Sequence, residues 1–355
     1  MVGAVPATMR ASVLLEPGKL VIEERPVPVP DPDQVLIKVL SVGVCGSDVH
    51  YYKTGRIGRF VMERPLILGH EVSGQIVAVG SDVPRERVGE RVAIEPQRPC
   101  RVCDYCRSGR YNLCPKMEFY ATPPIDGAFV EYTTIQADFA YPIPDSATAF
   151  AGALCEPLSV GIAAAKKGGI TWGSDVLIAG AGPIGIIAAQ AARAYGAGRV
   201  AISEMNPLRR EIALKYGVTR VVDPQDPGQP FECDVFIDAS GAVPAIEAGL
   251  EQIRPGGTLV LVGSAETFSL PVPRVAMNEI VVTGTFRYTQ TWPVAIQMLR
   301  DNLVELDSLV THVYGLDQVE EALTADASPS ALKRMVIPSI DRVDDPTDIT
   351  SVKVE

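Results

Sequence analysis

The sequence predicts an α/β protein in which a β-rich domain is followed by a doubly wound parallel sheet. The chain of 355 residues is long enough for two domains that each bury a core. Up to about residue 158 it is rich in proline, valine and short alternating runs, which indicate strands joined by turns. From about residue 160, apolar strands alternate with helical segments, the order typical of a parallel sheet with helices on both faces.

Composition and charge exclude several classes of protein. Apolar residues make up 47% of the chain and charged residues 21%, values typical of a folded globular protein. The net charge of −11 argues against nucleic acid as a partner, because phosphates require basic surfaces. The longest apolar stretch, residues 176–193, is interrupted by glycines and a proline, and no secretion signal opens the chain. We therefore expect a cytoplasmic protein with neither a membrane nor a nucleic-acid partner.

The first domain contains strand-like runs and residues that can bind a metal. Residues 36–40 and 72–79 are predicted strands of a barrel or sandwich. A thiolate, an imidazole and a carboxylate together suit zinc, and a catalytic zinc needs three protein ligands and one open position. Taken alone the set is weak evidence, because an isolated cysteine is most often a small buried apolar residue. The candidate ligands are Cys45, His70 and Glu71, with Glu156 in reserve.

Two neighbours of these candidates can support the chemistry. Asp48 can orient the ring of His70 as a hydrogen-bond partner behind the metal. Ser47 can pass a proton away from the substrate.

A second group of cysteines indicates a separate metal site. The four thiols are separated by two, two and seven residues, a spacing that can close a tetrahedral zinc site and stabilise a lobe with little core. An iron–sulfur cluster is the alternative, since Pro115 follows the last cysteine, but the final gap is longer than the ferredoxin spacing. We expect structural zinc. The ligands are Cys100, Cys103, Cys106 and Cys114.

A glycine-rich loop opens the second domain between a predicted strand (175–180) and a predicted helix (183–195). The loop, Gly180-Ala-Gly182-Pro-Ile-Gly185, matches the pattern that binds the pyrophosphate of a dinucleotide. Its glycines permit a tight turn, close approach of the backbone to phosphate, and close packing of helix on strand. An ordinary strand-to-helix turn is the alternative.

The residue after the next strand (199–203) bears on the choice of dinucleotide. Glu204 can accept hydrogen bonds from the adenosine ribose hydroxyls and repels a 2′-phosphate, which favours NAD over NADP. Arg209 and Arg210 follow and weaken this inference, because arginine can bind that phosphate. A solvated carboxylate at a helix start is the alternative for Glu204.

The last third of the chain gives two further structural predictions. Apolar runs at 235–239, 258–262 and 280–283 are predicted to complete the parallel sheet. The acidic residues from about 340 onward are expected to form a frayed tail.

From about residue 9 to 337 the sequence resembles the zinc-dependent medium-chain dehydrogenases. The superfamily likeness lies in Gly43-Val-Cys-Gly-Ser-Asp-Val-His50, Gly69-His-Glu71, the four-cysteine segment and the Gly180 loop. Other segments resemble the sorbitol and xylitol dehydrogenase branch: His50-Tyr-Tyr, Gly55-Arg-Ile-Gly58, Phe119-Tyr-Ala-Thr-Pro-Pro124, Cys155-Glu-Pro-Leu-Ser-Val-Gly161 and Phe286-Arg-Tyr-Thr-Gln-Thr-Trp-Pro293.

The resemblance implies a fold, an assembly and a set of site residues. It implies a GroES-like catalytic domain over residues 1–159 and 294–355, a Rossmann domain over 160–293, and a homotetramer. The implied ligands of the catalytic zinc are Cys45, His70 and Glu71, with Glu156 holding a water or reaching the metal itself. The implied substrate-pocket residues are Tyr51, Phe119, Arg287 and Tyr288, and the implied cofactor contacts are Ile184, Glu204, Arg209, Val262 and Phe286.

The implied reaction is oxidation of a secondary hydroxyl of a sugar alcohol to the ketose, with hydride transfer to NAD. Zinc lowers the pKa of the substrate hydroxyl, and the proton leaves through Ser47 and either a water or Glu156, with His50 completing the relay to solvent. L-arabinitol, galactitol, another secondary alcohol or threonine remain alternative substrates. A zinc-free quinone reductase and a non-enzymatic role are disfavoured, because no ligand is missing.

Overall fold

The computed structural model describes residues 4–226, 228, 230–325, 328 and 330–350. The chain divides into two compact units. The first unit contains the residues up to Glu156 and those from Leu306 onward, and the second unit runs from Pro157 to Glu305.

The divisions differ from the sequence-based boundaries, 159/160 and 293/294. The second division falls later because the segment before it is bonded to a helix of the second unit. The side-chain amide of Gln190 donates to the carbonyl of Glu305 (3.0 Å) and its oxygen accepts from the Glu305 amide (2.6 Å).

The strands are numbered in chain order. Those preceding the second unit are β1 Thr8–Glu16, β2 Lys19–Pro26, β3 Gln34–Gly43, β4 Arg56–Ile57, β5 Phe60–Val61, β6 Leu66–Ile67, β7 Glu71–Val79, β8 Arg91–Ile94, β9 Gln97–Arg98, β10 Glu118–Phe119, β11 Tyr132–Gln136 and β12 Ala140–Pro142. The second unit contributes β13 Asp175–Ala179, β14 Arg199–Ser203, β15 Arg220–Val222, β16 Cys233–Asp238, β17 Ile253–Leu261 and β18 Val281–Gly284. The returning chain adds β19 Val310–Gly315 and β20 Lys333–Ile337.

The described α-helices range from four to fourteen residues. They are α1 Gly46–Thr54, α2 Asp104–Arg107, α3 Ala149–Ala153, α4 Cys155–Gly168, α5 Pro183–Ala194, α6 Pro207–Ala213, α7 Val243–Leu250, α8 Val272–Met277, α9 Trp292–Arg300 and α10 Val319–Thr324. Short 3-10 helices occupy Arg85–Arg87, Tyr111–Leu113, Ala137–Phe139, Leu214–Tyr216, Asp307–Leu309 and Leu316–Gln318. Among the described helices, none is long and apolar enough to cross a membrane.

The first unit is built on a seven-stranded sheet. Its strands follow the order β12-β8-β7-β3-β20-β19, and β11 also pairs with β3. Strand β3 is antiparallel to both β7 and β20, so the C-terminal strand lies beside an N-terminal one. The predicted strands at 36–40 and 72–79 are confirmed as parts of β3 and β7.

The second unit is a six-stranded parallel sheet in the order β15-β14-β13-β16-β17-β18. Alternate residues of β13 enter separate cores, because successive side chains of a strand point to opposite faces. Val176 and Ile178 pack in a cluster with Ala188 of α5, whereas Leu177 packs with Ile246 of α7. Helices therefore cover both faces, and the predicted fold class is confirmed.

The segment after β20 departs from the expected frayed tail over its described part. Backbone amides of β19 and the following turn donate to it: Val313 to the Pro346 carbonyl (2.8 Å) and Leu316 to the Ile340 carbonyl (2.8 Å). Val343 is buried, and its amide donates to the side chain of Gln318. The expectation of a frayed tail rested on the acidic composition of this segment. Its described part is instead held in place by these hydrogen bonds.

Candidate active site

The candidate catalytic ligands meet where β3 ends and β7 begins. Cys45 lies just after β3, at the start of α1, while His70 immediately precedes β7 and Glu71 is its first residue. The antiparallel register places Gly43 opposite Glu71. One ligand atom from each of Cys45, His70 and Glu71 lies within 4.8 Å of the other two, so Cys45 meets two adjacent residues that are distant from it in the chain.

Asp48 joins the two segments that carry these ligands. Its side chain is fully buried, and one carboxylate oxygen accepts from the Cys45 amide (2.9 Å) while the other accepts from the Gly69 amide (2.9 Å). The second oxygen also lies 3.6 Å from Nδ1 of His70. Burial lowers the pKa of His70, but the negative charges of Asp48 and Cys45 outweigh burial, so the pKa is raised. Asp48 thus stands where the sequence analysis expected an orienting partner.

Glu71 is held by a lysine that the sequence analysis missed. Nζ of Lys333, the first residue of β20, donates to Oε1 of Glu71 (2.5 Å) and to the carbonyl of Val44 (3.0 Å). Burial lowers the pKa of Lys333, but Glu71, Cys45 and Glu156 raise it, and the net shift is upward. An isolated lysine 262 positions from its partner belongs to no spacing pattern, so the sequence offered no signal for it.

The donor set fits zinc. Oε2 of Glu71 is buried and has no hydrogen-bond partner among the described residues. A buried carboxylate oxygen without a donor is costly, and a cation beside it removes that cost. Together with the thiolate of Cys45 and the imidazole of His70, a carboxylate oxygen of Glu71 completes the three-ligand set of a catalytic zinc.

The four cysteines of the second group form a compact sulfur cluster. Their sulfurs lie within 4.8 Å of one another, with Cys103 and Cys106 3.4 Å apart. Zinc–sulfur bonds of about 2.3 Å in a tetrahedron separate the sulfurs by about 3.8 Å, so the cluster suits one ion better than a larger iron–sulfur group. Backbone amides of Val102 and Cys103 lower the pKa of Cys100 to about 6, which favours the thiolate that a metal requires.

The glycine-rich loop has the shape that a pyrophosphate needs. Gly180 has φ +97°, a left-handed conformation that glycine tolerates. A Cβ at Gly185 would lie 1.9 Å from the Gly180 carbonyl, so only glycine allows α5 to approach β13 this closely. A Cβ at Gly182 would meet nothing within 4 Å, so the backbone at the start of α5 is open to a ligand.

Glu204 lies beside this loop at the end of β14. Its Oε2 accepts from the Ala181 amide (2.8 Å) and its Oε1 from the Asn206 amide (2.8 Å). Arg210 bonds to the Glu204 and Met205 carbonyls and to Asp223. The guanidinium of Arg210 is therefore engaged by two nearby carbonyls and by a carboxylate of the same unit.

A second missed residue, Asp238, organises the neighbouring loop. It ends β16, is fully buried, and its Oδ1 accepts from the amides of Ser240 and Gly241. The only available signal was an acidic residue at the carboxyl end of a strand, where parallel sheets bind ligands.

Known proteins match both units. Residues 31–145 match the family model of the alcohol dehydrogenase GroES-like domain, and residues 183–301 match that of the zinc-binding dehydrogenases. A sorbitol dehydrogenase of Bacillus subtilis is 44% identical over 96% of this chain and 100% of its own length. The chain belongs to the zinc-dependent medium-chain dehydrogenase family. It is an oxidoreductase, and this membership confirms the predicted resemblance and the predicted cofactor classes, zinc and a nicotinamide dinucleotide.

Solved structures of this dehydrogenase family share the fold. A zinc-binding dehydrogenase from Sinorhizobium meliloti bound to NADP has a TM-score of 0.87 and 29% identity, covering 94% of this chain and 100% of its own. L-idonate 5-dehydrogenase from Escherichia coli has a TM-score of 0.87 and 28% identity, covering 93% and 98%.

The other predicted residues of the first unit lie near the zinc ligands along the chain or in space. Ser47 and His50 lie on α1, half-buried and exposed respectively. Glu156, buried in the first turn of α4, is not part of the cluster formed by the three ligands. Tyr51 is buried, and the Phe119 ring lies 5.6 Å from the His70 ring. The roles of these residues remain predictions.

The predicted residues of the second unit lie in and after its sheet. Ile184 is in the first turn of α5, Arg209 is on α6, and the amide of Val262 donates to Asp238 (2.9 Å). The Arg287 guanidinium stacks on Phe286, 4.9 Å from the ring centre. Tyr288 is buried edge-on against Trp292. Their contacts with substrate and cofactor also remain predictions.

Proposed function

We propose that this dehydrogenase oxidises a secondary hydroxyl of a sugar alcohol to the ketose, transferring hydride to NAD. The cluster of Cys45, His70 and Glu71 carries the proposal, because it provides a complete zinc site in a chain that aligns along its length with a sorbitol dehydrogenase. L-idonate 5-dehydrogenase, with the same fold, is named for another polyhydroxy substrate.

Each residue near the zinc site has a part in this reaction. Bound zinc supplies a Lewis acid that polarises the substrate oxygen and lowers the pKa of its hydroxyl. Ser47 accepts the hydroxyl proton, and His50, exposed on the same helix, delivers it to solvent. Buried Glu156 would hold a water or reach the metal itself, and the buried Tyr51 and Phe119 would line the apolar side of the substrate.

NAD is the proposed partner in hydride transfer, although a related structure is bound to NADP. Glu204 places a carboxylate beside the glycine-rich loop, where it repels a 2′-phosphate. Arg210 is engaged with Glu204, Met205 and Asp223, which leaves it poorly placed to bind that phosphate.

We further propose a cytoplasmic homotetramer. Strand β18 is the edge of the parallel sheet, and Val281 on it is 52% exposed. On the preceding helix α8, Val272 and Met277 are 64% and 79% exposed. An apolar exposed edge favours association with another chain. All seven cysteines lie in described ranges and none forms a disulfide, which suits a reducing compartment.

The activity is tested by following absorbance at 340 nm with NAD or NADP. The panel contains sorbitol, xylitol, L-arabinitol, galactitol, threonine and 2-butanol. We expect NAD-dependent oxidation of sorbitol or xylitol far above that of 2-butanol, because a site built to bind several hydroxyls discriminates against substrates that leave its groups unpaired. Preference for threonine or 2-butanol over every sugar alcohol would overturn the proposal.

Arg287 is the proposed substrate-binding cation, because its guanidinium offers several fixed donors to adjacent hydroxyls. Arg287→Ala should cost about 2–4 kcal/mol in kcat/KM for xylitol and much less for 2-butanol. Arg300→Ala, which removes an exposed arginine of α9, is the matched control. Equal losses for xylitol and 2-butanol would show that Arg287 only braces its surroundings.

A further inference from the structure

We propose that Lys333 is a positioning residue that turns Glu71 so that a single carboxylate oxygen remains available to the metal. The inference rests on zinc at the proposed site but not on the identity of the substrate. Lys333 does not touch the reacting atoms in this proposal, because it acts through Glu71.

The contacts of Lys333 fix its ammonium group between the two ligand-bearing segments. The side chains of Lys333 and Glu71 are only 5% and 1% exposed, so neither can turn to water. Nζ donates to Oε1 of Glu71 at 2.5 Å and to the carbonyl of Val44, the residue before Cys45, at 3.0 Å. One cation therefore connects the residue beside one ligand to the carboxylate of another.

The other carboxylate oxygen of Glu71, Oε2, packs against the backbone of Gly43 on one side. A Cβ at residue 43 would lie 2.0 Å from Oε2, so the carboxylate rests directly against Gly43. Oε2 has no hydrogen-bond donor within the described part of the chain, whereas Oε1 has Lys333. Lys333 thereby determines which oxygen is left for the metal, and it opposes binding through both oxygens.

Pairing of β20 with β3 brings Lys333 to this place. Met335 pairs with Gly43, and the amide of Val44 donates to the carbonyl of Arg334 (2.9 Å). The alternative is that Lys333 only fastens β20 to β3 as a buried ion pair. The two possibilities predict different effects on metal binding. An ion pair that only fastens the strands would leave the coordination of a bound metal unchanged when Lys333 is replaced.

The test compares Lys333→Met with Lys333→Arg in the full-length protein. Zinc release to a chelator is followed over time, with the four-cysteine zinc as an internal control for folding. We expect Lys333→Met to lose the other zinc about 10–100-fold faster, the usual cost of removing a partner behind a ligand. Lys333→Arg, which keeps a cation, should restore most of the retention. Co²⁺ in place of this zinc should give an altered visible spectrum in Lys333→Met and a near-native one in Lys333→Arg.

Arg334→Met is the matched control for packing of β20. Arg334 donates to the carbonyls of Ala322 and Ala325 and not to Glu71, so its loss should leave both zinc ions and the Co²⁺ spectrum unchanged. Unchanged zinc retention and spectrum in Lys333→Met would overturn the proposal. So would an equal effect of Arg334→Met.

A double variant covers the case in which Lys333→Met fails to fold because it leaves a buried carboxylate unpaired. Lys333→Met/Glu71→Gln removes both charges. If Lys333 acts through Glu71, this variant should release zinc no faster than Glu71→Gln alone, and additive effects would overturn the proposal. Absence of polyol oxidation by the wild type would instead contradict the proposed function and leave these zinc measurements intact.

Discussion

Glu95 is a buried carboxyl group whose ionisation should make the stability of the first unit depend on pH. It follows β8, is fully buried, and accepts hydrogen bonds from Tyr111 (2.8 Å), Tyr141 (3.1 Å) and Gln97 (3.0 Å). Tyr111 lies within the four-cysteine segment, so Glu95 connects that lobe to the sheet. Burial raises the pKa of Glu95 to about 8, with Asp138 adding to the rise and the three donors opposing it.

The direction of the pH effect follows from this raised pKa. The neutral form is favoured in the folded protein, so its stabilising contribution is complete below the unfolded pKa, 4.5, and is lost as the pH rises through about 8. A rise from 4.5 to about 8 corresponds to a free energy of up to about 5 kcal/mol between the two protonation states. Only the part of this change between pH 6 and about 8 falls in that range, so the wild type should lose about 2–3 kcal/mol between pH 6 and pH 9.

Glu95→Gln tests this, because glutamine stays neutral and fills the same space. Urea unfolding at pH 6 and pH 9, with zinc present, gives the free energies of unfolding. We expect the variant to gain stability relative to the wild type by about 2–3 kcal/mol between pH 6 and pH 9, because only the wild type titrates. Glu118→Gln, an exposed carboxylate on β10, is the control and should follow the wild type at both values. The same fall in stability in Glu95→Gln and in the wild type would refute the reasoning.

Further predictions concern the metals and the cofactor. Elemental analysis should find two zinc ions per chain; Cys45→Ser should lose one zinc and all activity but keep its fold, and a finding of iron would contradict the assignment. Cys103→Ser should first lower stability, because α2 in its lobe buries no side chain, and thermal unfolding measures the loss. Glu204→Ala should weaken NAD binding and improve the use of NADP, as measured by kcat/KM for both cofactors. A wild-type preference for NADP would mean that attraction of the 2′-phosphate by Arg209 and Arg210 outweighs its repulsion by Glu204.

The sequence predicted the inner strands of the parallel sheet better than its edge strand β15 and the end of the second unit. Strands buried on both faces are continuous apolar runs, so β13, β14 and β16 were recognisable. The apolar runs of β17 and of the edge strand β18 were recognisable as well. Strand β15 was missed because its three residues, Arg220–Val222, are half-buried at the edge of the sheet and too few to show a period. The end of the second unit was placed too early because the bonds between Gln190 and Glu305 join positions 115 residues apart.

Local spacing also accounts for what could be predicted of the site. The cysteines of the lobe and the loop glycines lie within short segments, and each pattern has a chemical reason that one segment can reveal. Lys333 and Asp238 act as isolated residues, and their roles arise only when strands pair. Glu71 was identified as a candidate ligand, but no local pattern could show that its Oε1 accepts a hydrogen bond from Lys333.

These contacts link metal binding to closure of the chain. The candidate zinc ligands come from the ends of β3 and β7, but the charge of Glu71 is balanced by Lys333 of β20. Until β20 pairs with β3, the carboxylate of Glu71 lacks its cation, and burying it in that state is unfavourable. Zinc stabilises whichever state holds the three donors together, and here that state includes the pairing of β20 with β3. Strand β20 therefore contacts the candidate metal site through Lys333, although it supplies none of the predicted ligands.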